Sequence, residues 1–188
     1  AEFATAVAGW VLDINPFDQP NVQEAKDNTD AVLAGYAKEG KLPEVEEAGD
    51  DELKALLGSA EPPSYVAVLA YVKPSEEFDR AVDGLRDAIR AKTKATTTFG
   101  YGPRFQHSTG QLHKGGPPTG RFLQLTHDSG SDAEIPDAGY GFATLKKAAA
   151  TGDLQTLRAH DLPAERMRLE GDPVAAVEAL TKRIQGLI

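Results

Sequence analysis

At 188 residues the chain has the length of one full domain, or of a domain with a smaller helical attachment. A hydrophobic fraction of 40% and a charged fraction of 26% are ordinary for a globular protein, and a formal net charge of -9 disfavours nucleic acid and anionic membranes as partners while leaving room for a locally positive pocket. The absence of cysteine excludes disulfides, thiolate metal sites and thiol catalysis; with no signal-peptide pattern and no apolar run near the roughly 20 residues that span a bilayer, the expectation is a cytoplasmic protein without a membrane partner.

The chain opens without methionine, on "AEFATAVAGWVL". Phe3, Val7, Trp10, Val11 and Ile14 follow the spacing of one helical face. So apolar a stripe needs a cover, which suggests a chain cut from a longer one. After the Asn15-Pro16 break, Asp18 or Gln19 can cap a second helix with Pro20 in its first turn, running to about Tyr36 and ending near Gly40. Val22, Lys26, Thr29 and Leu33 fall on one face by spacing, so a lysine sits among apolar positions. The acidic stretch "EVEEAGDDELKALLGSAEPP" holds a short helix and a linker, and Pro62-Pro63 mark a boundary between a helical segment, 1–60, and a second unit, 62–188.

The second unit alternates. "YVAVLAYV" (65–72) reads as a strand buried on both faces. Pro74-Ser75 opens a helix with Phe78, Val82, Leu85 and Ile89 on one side, and "ATTTFGY" (95–101) is a strand by its β-branched content. "RFLQLT" (121–126) is a third strand and "ERMRLE" (165–170) a weaker fourth, with a helical region at 141–160 between them and a last helix after Asp172-Pro173. The order predicts an α/β fold: N-terminal helices followed by a small, mostly parallel, three-layer α/β domain. Between the second and third strands, "GPRFQHSTGQLHKGGPPTG" (102–120) is too long for an ordinary connection and leaves the carboxyl end of a strand, where open α/β sheets bind ligands.

At "GWVLDINPFDQPNVQEAK" the sequence resembles the second signature of the phosphoglucose isomerases. Gly9, Val11, Leu12, Phe17, Asp18, Gln19, Val22 and Lys26 stand in matching positions, while Asn21 and Gln23 depart from the pattern. The block "TTTFGYGPRFQHSTGQLHKGGPPTGRFLQLT" is similar to the C-terminal extension of bacterial transaldolase/phosphoglucose isomerase fusions. The resemblance implies the C-terminal part of a glucose-6-phosphate isomerase, using neither cofactor nor metal. Its partners would be a sugar phosphate and the upstream isomerase and transaldolase domains. In that family the lysine touches the bound sugar phosphate, so Lys26 becomes the expected catalytic residue and Gln19 a binding one. The base glutamate, ring-opening histidine and main phosphate loop precede this motif in the family, so the chain alone is expected to be inactive.

Spacing alone makes Lys26 an ordinary surface lysine whose stem packs while its head reaches water; the resemblance moves it to an active site. In the 102–120 segment, Arg104, Ser108, Thr109, His113 and Lys114 are candidates for an anion cradle, with packing against a neighbouring domain as the alternative. His107 and His113 lack the spacing of a metal pair. "GYG" (100–102) is no dinucleotide fingerprint, since Pro103 replaces the required helix, and Tyr101, Phe105 and Tyr140 read as packing residues. Two rival functions remain. One is a non-catalytic docking or phosphosugar-binding module, with an exposed apolar patch on the first helices and a 102–120 loop that is disordered in isolation. The other is a complete sugar-phosphate enzyme, in which Lys26 and the histidines would converge in a closed pocket.

Overall fold

The computed structural model describes residues 1–128 and 130–188. Three helices come first, α1 (Glu2–Leu12), α2 (Pro20–Glu39) and α3 (Asp50–Gly58). Strand β1 (Tyr65–Tyr71), helix α4 (Glu76–Thr93) and strand β2 (Thr96–Tyr101) follow, then a 3-10 turn at Arg104–His107 and the short helix α5 (Gly110–Gly115). The chain ends with β3 (Gly120–His127), α6 (Phe142–Ala159), β4 (Ala164–Leu169) and α7 (Pro173–Leu187). Among the described residues the sheet has four strands, all parallel, in the order β2-β1-β3-β4.

Alternation along β1 builds two cores. Val66, Val68 and Ala70 face α3, α4 and α7, where they meet Leu53, Phe78, Leu85 and Val177. Ala67, Leu69 and Tyr71 face the opposite layer, with Phe105, Phe122, Leu154 and Leu157. The result is the expected three-layer α/β sandwich, with α2 laid on the outer side of α6. Sharp local signals set the helix ends. Ser75 accepts the Phe78 N–H at 3.1 Å, and Asp172 accepts the Ala175 N–H at 2.9 Å ahead of Pro173. Gly40 closes α2 with φ of 71°, where a side chain would be strained. Gln19 precedes Pro20 as the N-cap of α2, without a side-chain capping bond.

Helix α2 departs from its expected face. Val22, Ala25, Val32 and Leu33 are buried, whereas Lys26 is exposed. Its inner side meets α6 at Gly152, where an added Cβ would lie 2.6 Å from Thr29 Oγ1, 2.7 Å from Thr29 N and 3.1 Å from the Ala25 carbonyl. That close backbone approach makes Ala25, not Lys26, the inward residue of its turn. The amino end of α2 is tied down as well: Gln111 Oε1 accepts the Asn21 N–H at 3.0 Å, and Gln111 Nε2 donates to Asn21 Oδ1 at 2.7 Å.

Helix α1 has the predicted stripe, and among the described residues nothing covers it. Phe3 is 83% exposed and Trp10 82%, with Val11, Leu12, Ile14 and Phe17 also exposed. Gly9 is the one buried residue of α1, held under Pro16, whose ring would lie 2.5 Å from an added Cβ.

Candidate functional site

Two clefts lie at the carboxyl edge of the sheet. The first, about 310 Å3, gathers the end of β2 and the 102–120 segment. Its lining includes Arg104, Ser108, Thr109 and His113, so four of the sequence candidates do converge. Neither Lys26, Gln19 nor Lys114 lines it. The segment is structured by apolar anchoring that its glycines and prolines conceal: Phe105 is buried and meets Tyr71 edge-on, with ring centroids 6.0 Å apart at 81°.

The donors of this cleft are largely engaged. The hydroxyls of Ser108 and Thr109 donate to the Phe105 carbonyl at 3.1 and 3.2 Å, and their backbone N–H groups reach the same oxygen at 3.1 and 2.8 Å. The Arg104 guanidinium lies 5.4 Å from the Tyr101 ring centroid, a cation–π distance. His113 is buried among Tyr65, Phe105 and Phe122, and burial with the Lys114 charge beside it lowers its pKa to about 4. The imidazole is therefore neutral near pH 7, and Nδ1 has no hydrogen-bond partner among the described residues. Arg104 is the one fixed positive charge lining this cleft among the described residues.

Lys114 has a different environment. Its side chain and that of Asp153 are both fully buried, with Nζ 2.6 Å from Oδ1. Burial pushes the Asp153 carboxyl up while Lys114 pulls it down. Next to them, the Tyr71 hydroxyl accepts from Gln106 Nε2 at 3.2 Å, and burial followed by the Asp153 charge raises its pKa well above the usual value. Lys114 thus holds the 102–120 segment to α6.

The second cleft, about 440 Å3, was not legible from motifs. It opens where β1 and β3 part, the switch point of the β2-β1-β3-β4 order, at which open α/β sheets commonly place ligands. Tyr71, Thr126 and His127 come from the strand ends, Lys146 and Thr151 from α6, and Arg166 and Arg168 from β4. Residues 42–45, leading into α3, form its opposite wall. Gln124 ties the floor together, donating to the Ala150 carbonyl at 2.9 Å and accepting from Arg166 Nε at 2.7 Å. The sequence signal was present in "ERMRLE", where Arg166 and Arg168 share one face of a strand. Among the described residues, no three His, Asp or Glu side chains cluster as metal ligands would.

Comparison with known proteins adds one short match. Two glucose-6-phosphate isomerases, from Leptospira biflexa serovar Patoc strains Patoc 1/Ames and Patoc 1/ATCC 23582/Paris, are each 51% identical over 39 residues. Over that stretch the chain resembles a glucose-6-phosphate isomerase. The stretch is 20% of this chain and 9% of those relatives' length. No family model matches. A hypothetical protein of known structure from Thermus thermophilus has a similar fold, with a TM-score of 0.56 and 21% identity over 84% of this chain and 43% of that one. Among the described residues, no helix is long and apolar enough to cross a membrane.

Proposed function

We propose that this chain is the C-terminal part of a glucose-6-phosphate isomerase that interconverts glucose 6-phosphate and fructose 6-phosphate. The 39-residue likeness to glucose-6-phosphate isomerases carries the reading. The helical segment 1–60 would complete a sugar-isomerase domain and supply Lys26, and 62–188 would be a C-terminal extension domain. Two features support this. Lys26 is exposed on α2, with no ion pair or hydrogen bond among the described residues, so its ammonium is free to meet a ligand held by another domain. The uncovered stripe of α1 gives that domain an apolar face to bury.

Aldose–ketose isomerisation moves a proton between C1 and C2 through an enediol, after ring opening, and requires a general base. Lys26 would stabilise negative charge on the substrate beside that base, with Gln19 at the head of α2 as a binding residue. The base itself would come from the upstream part, leaving the isolated chain inactive. The likeness of residues 96–126 to fusion proteins extends the proposal to an upstream transaldolase and to a cytoplasmic setting. The complete-enzyme reading finds no support in the geometry, since Lys26 shares neither cleft with the histidines.

A second reading, a phosphosugar-binding module without catalysis, is favoured by the convergence of Arg104, Ser108, Thr109 and His113 at the end of β2. A backbone NMR titration with a phosphorylated enediol analogue separates the two. Shifts around Lys26 and Gln19 support the isomerase reading, and shifts confined to 104–114 support the module. No shift at either place would refute a phosphosugar site in the isolated chain, and with it the complete-enzyme reading. The isomerase reading, in which another domain holds the ligand, is then decided by the activity of the longer polypeptide.

A further inference from the structure

The cleft at the switch point has two cations without an ion pair among the described residues, although the charge of Asp128 acts on Lys146 and those of Glu47 and Asp153 act on Arg166. In a chain of net charge -9, four cationic side chains line it: Lys146, Lys147, Arg166 and Arg168. Two are neutralised locally. Lys147 Nζ lies 2.9 Å from Asp128 Oδ1, and Arg168 Nε lies 3.1 Å from Glu47 Oε1. The other two, Lys146 and Arg166, form no ion pair with a carboxylate among the described residues. Lys146 donates to the His127 carbonyl, at 3.3 Å. Arg166 is 9% exposed; Nε is bonded to Gln124, Nη1 reaches Thr151 Oγ1 at 3.4 Å, and Nη2 is buried with no partner among the described residues.

A guanidinium has donors and no acceptor, so an oxygen acceptor is what satisfies Nη2. Leaving a buried charged donor unpaired is unfavourable, and Arg166 lines the cleft, so a ligand oxyanion that reaches its guanidinium would supply the acceptor that Nη2 lacks. Lys146 adds a point charge from α6, across the floor from β4. The opposite wall is mixed: Leu42, Pro43 and Val45 can cover the body of a ligand, while the carboxylates of Glu44 and Glu47 confine an anion to the side of Arg166 and Lys146. A volume of about 440 Å3 is in the range that holds a small metabolite.

We propose that the cleft between the ends of β1, β3 and β4 binds the oxyanion of a small organic metabolite, a phosphomonoester or a carboxylate, through Arg166 and Lys146. The site is separate from Lys26 and from the β2 cleft, and it stands whether or not the chain belongs to an isomerase. Tyr71 and Thr151 border it, and the Tyr71 hydroxyl interacts with Asp153 of the buried Lys114–Asp153 pair.

The test is calorimetry and backbone NMR on this chain with four probes: fructose 6-phosphate, malate, fructose and inorganic phosphate. The expected result is that fructose 6-phosphate or malate binds with a dissociation constant of about 1 mM or tighter. Shifts should appear at 124–128, 144–151 and 166–168, with none there for fructose. Which of the two binds identifies the anion. Lys146→Gln, at a half-buried position whose loss leaves the fold intact by melting temperature, should weaken that binding about tenfold, the loss of one charge-assisted contact. Lys147→Gln, whose charge is already paired, should change it by less than about threefold. Arg166→Lys keeps the charge but loses the fork, and should weaken binding as well. The proposal is overturned if neither organic anion shifts these residues, if inorganic phosphate binds as tightly as both, or if Lys146→Gln has no effect. Shifts at Lys26 or 104–114 in the same spectra report on the proposed function separately.

Discussion

Replacing Lys114 with methionine should unfold this protein more readily than any surface substitution. The perturbation leaves Asp153 without its cation in a position of zero side-chain exposure, with the Nζ–Oδ1 contact at 2.6 Å lost. Breaking a buried pair from one side typically destabilises by about 3–5 kcal/mol, because the remaining charge is desolvated and unpaired. At about 2–4 °C per kcal/mol for a chain of this size, the melting temperature should fall by about 6–20 °C. The sign of the pH dependence is fixed. Burial already raises the Asp153 pKa, and removing Lys114 removes the largest opposing influence, so the folded carboxyl holds its proton more tightly than the unfolded one. A raised carboxyl stabilises the fold below its unfolded pKa and loses that contribution as pH rises through the folded value. The deficit of Lys114→Met should therefore be larger at pH 8 than at pH 5. Removing both charges with Lys114→Met/Asp153→Leu should recover most of the loss. Thermal and urea denaturation at both pH values measure it. A single mutant as stable as the double mutant, or one whose deficit grows on acidification, would refute the assignment of this pair as a buried ionic brace.

Three further outcomes follow from the same geometry. Gly152→Ala puts a methyl 2.6–2.7 Å from Thr29 and forces α2 off α6, which overpacking of this kind makes about 1–3 kcal/mol unfavourable; urea denaturation should show a lower midpoint, and no loss would mean that the helices do not approach so closely. His113 has a folded pKa of about 4 against 6.5, so its stabilising effect is complete above pH 6.5 and disappears as pH falls toward 4; His113→Phe should flatten the acid limb of the stability profile in that window. Ser75→Ala removes the acceptor for the Phe78 N–H and should lower stability by about 1 kcal/mol, read from chemical denaturation.

Much of the architecture was legible because the relevant signals are local. A run such as "YVAVLAYV" has no polar position to expose, and Ser75 and Asp172 mark helix starts by their own side chains, so strands and helices fell where periodicity and capping put them. The surface stripe on α1 was equally plain, and it is exposed in the isolated chain. What failed were features set by distant partners. Spacing set the stem of Lys26 beside Val22 and Leu33 with its head in water; the head is exposed, but Ala25 rather than the lysine stem faces inward at the Gly152 contact. Gly and Pro masked the helical turns of 104–115, which are held by Phe105 under Tyr71 and by Gln111 against Asn21. Lys114 read as a phosphate ligand because its carboxylate partner, Asp153, lies far along the chain on another helix. The switch-point cleft depends on strand order, so its residues carry no contiguous motif.

The central claim, that Lys26 belongs to a sugar-phosphate isomerase, is tested most directly by isomerase activity. The assay compares the longer polypeptide proposed to contain this segment with its Lys26→Ala variant, following conversion of fructose 6-phosphate to glucose 6-phosphate. The account predicts that the variant melts at the wild-type temperature, since Lys26 is exposed and unpaired among the described residues, and that its kcat/KM falls by about a hundredfold, the scale of a lost charged contact to the transition state. Unchanged activity in the Lys26→Ala variant would contradict it.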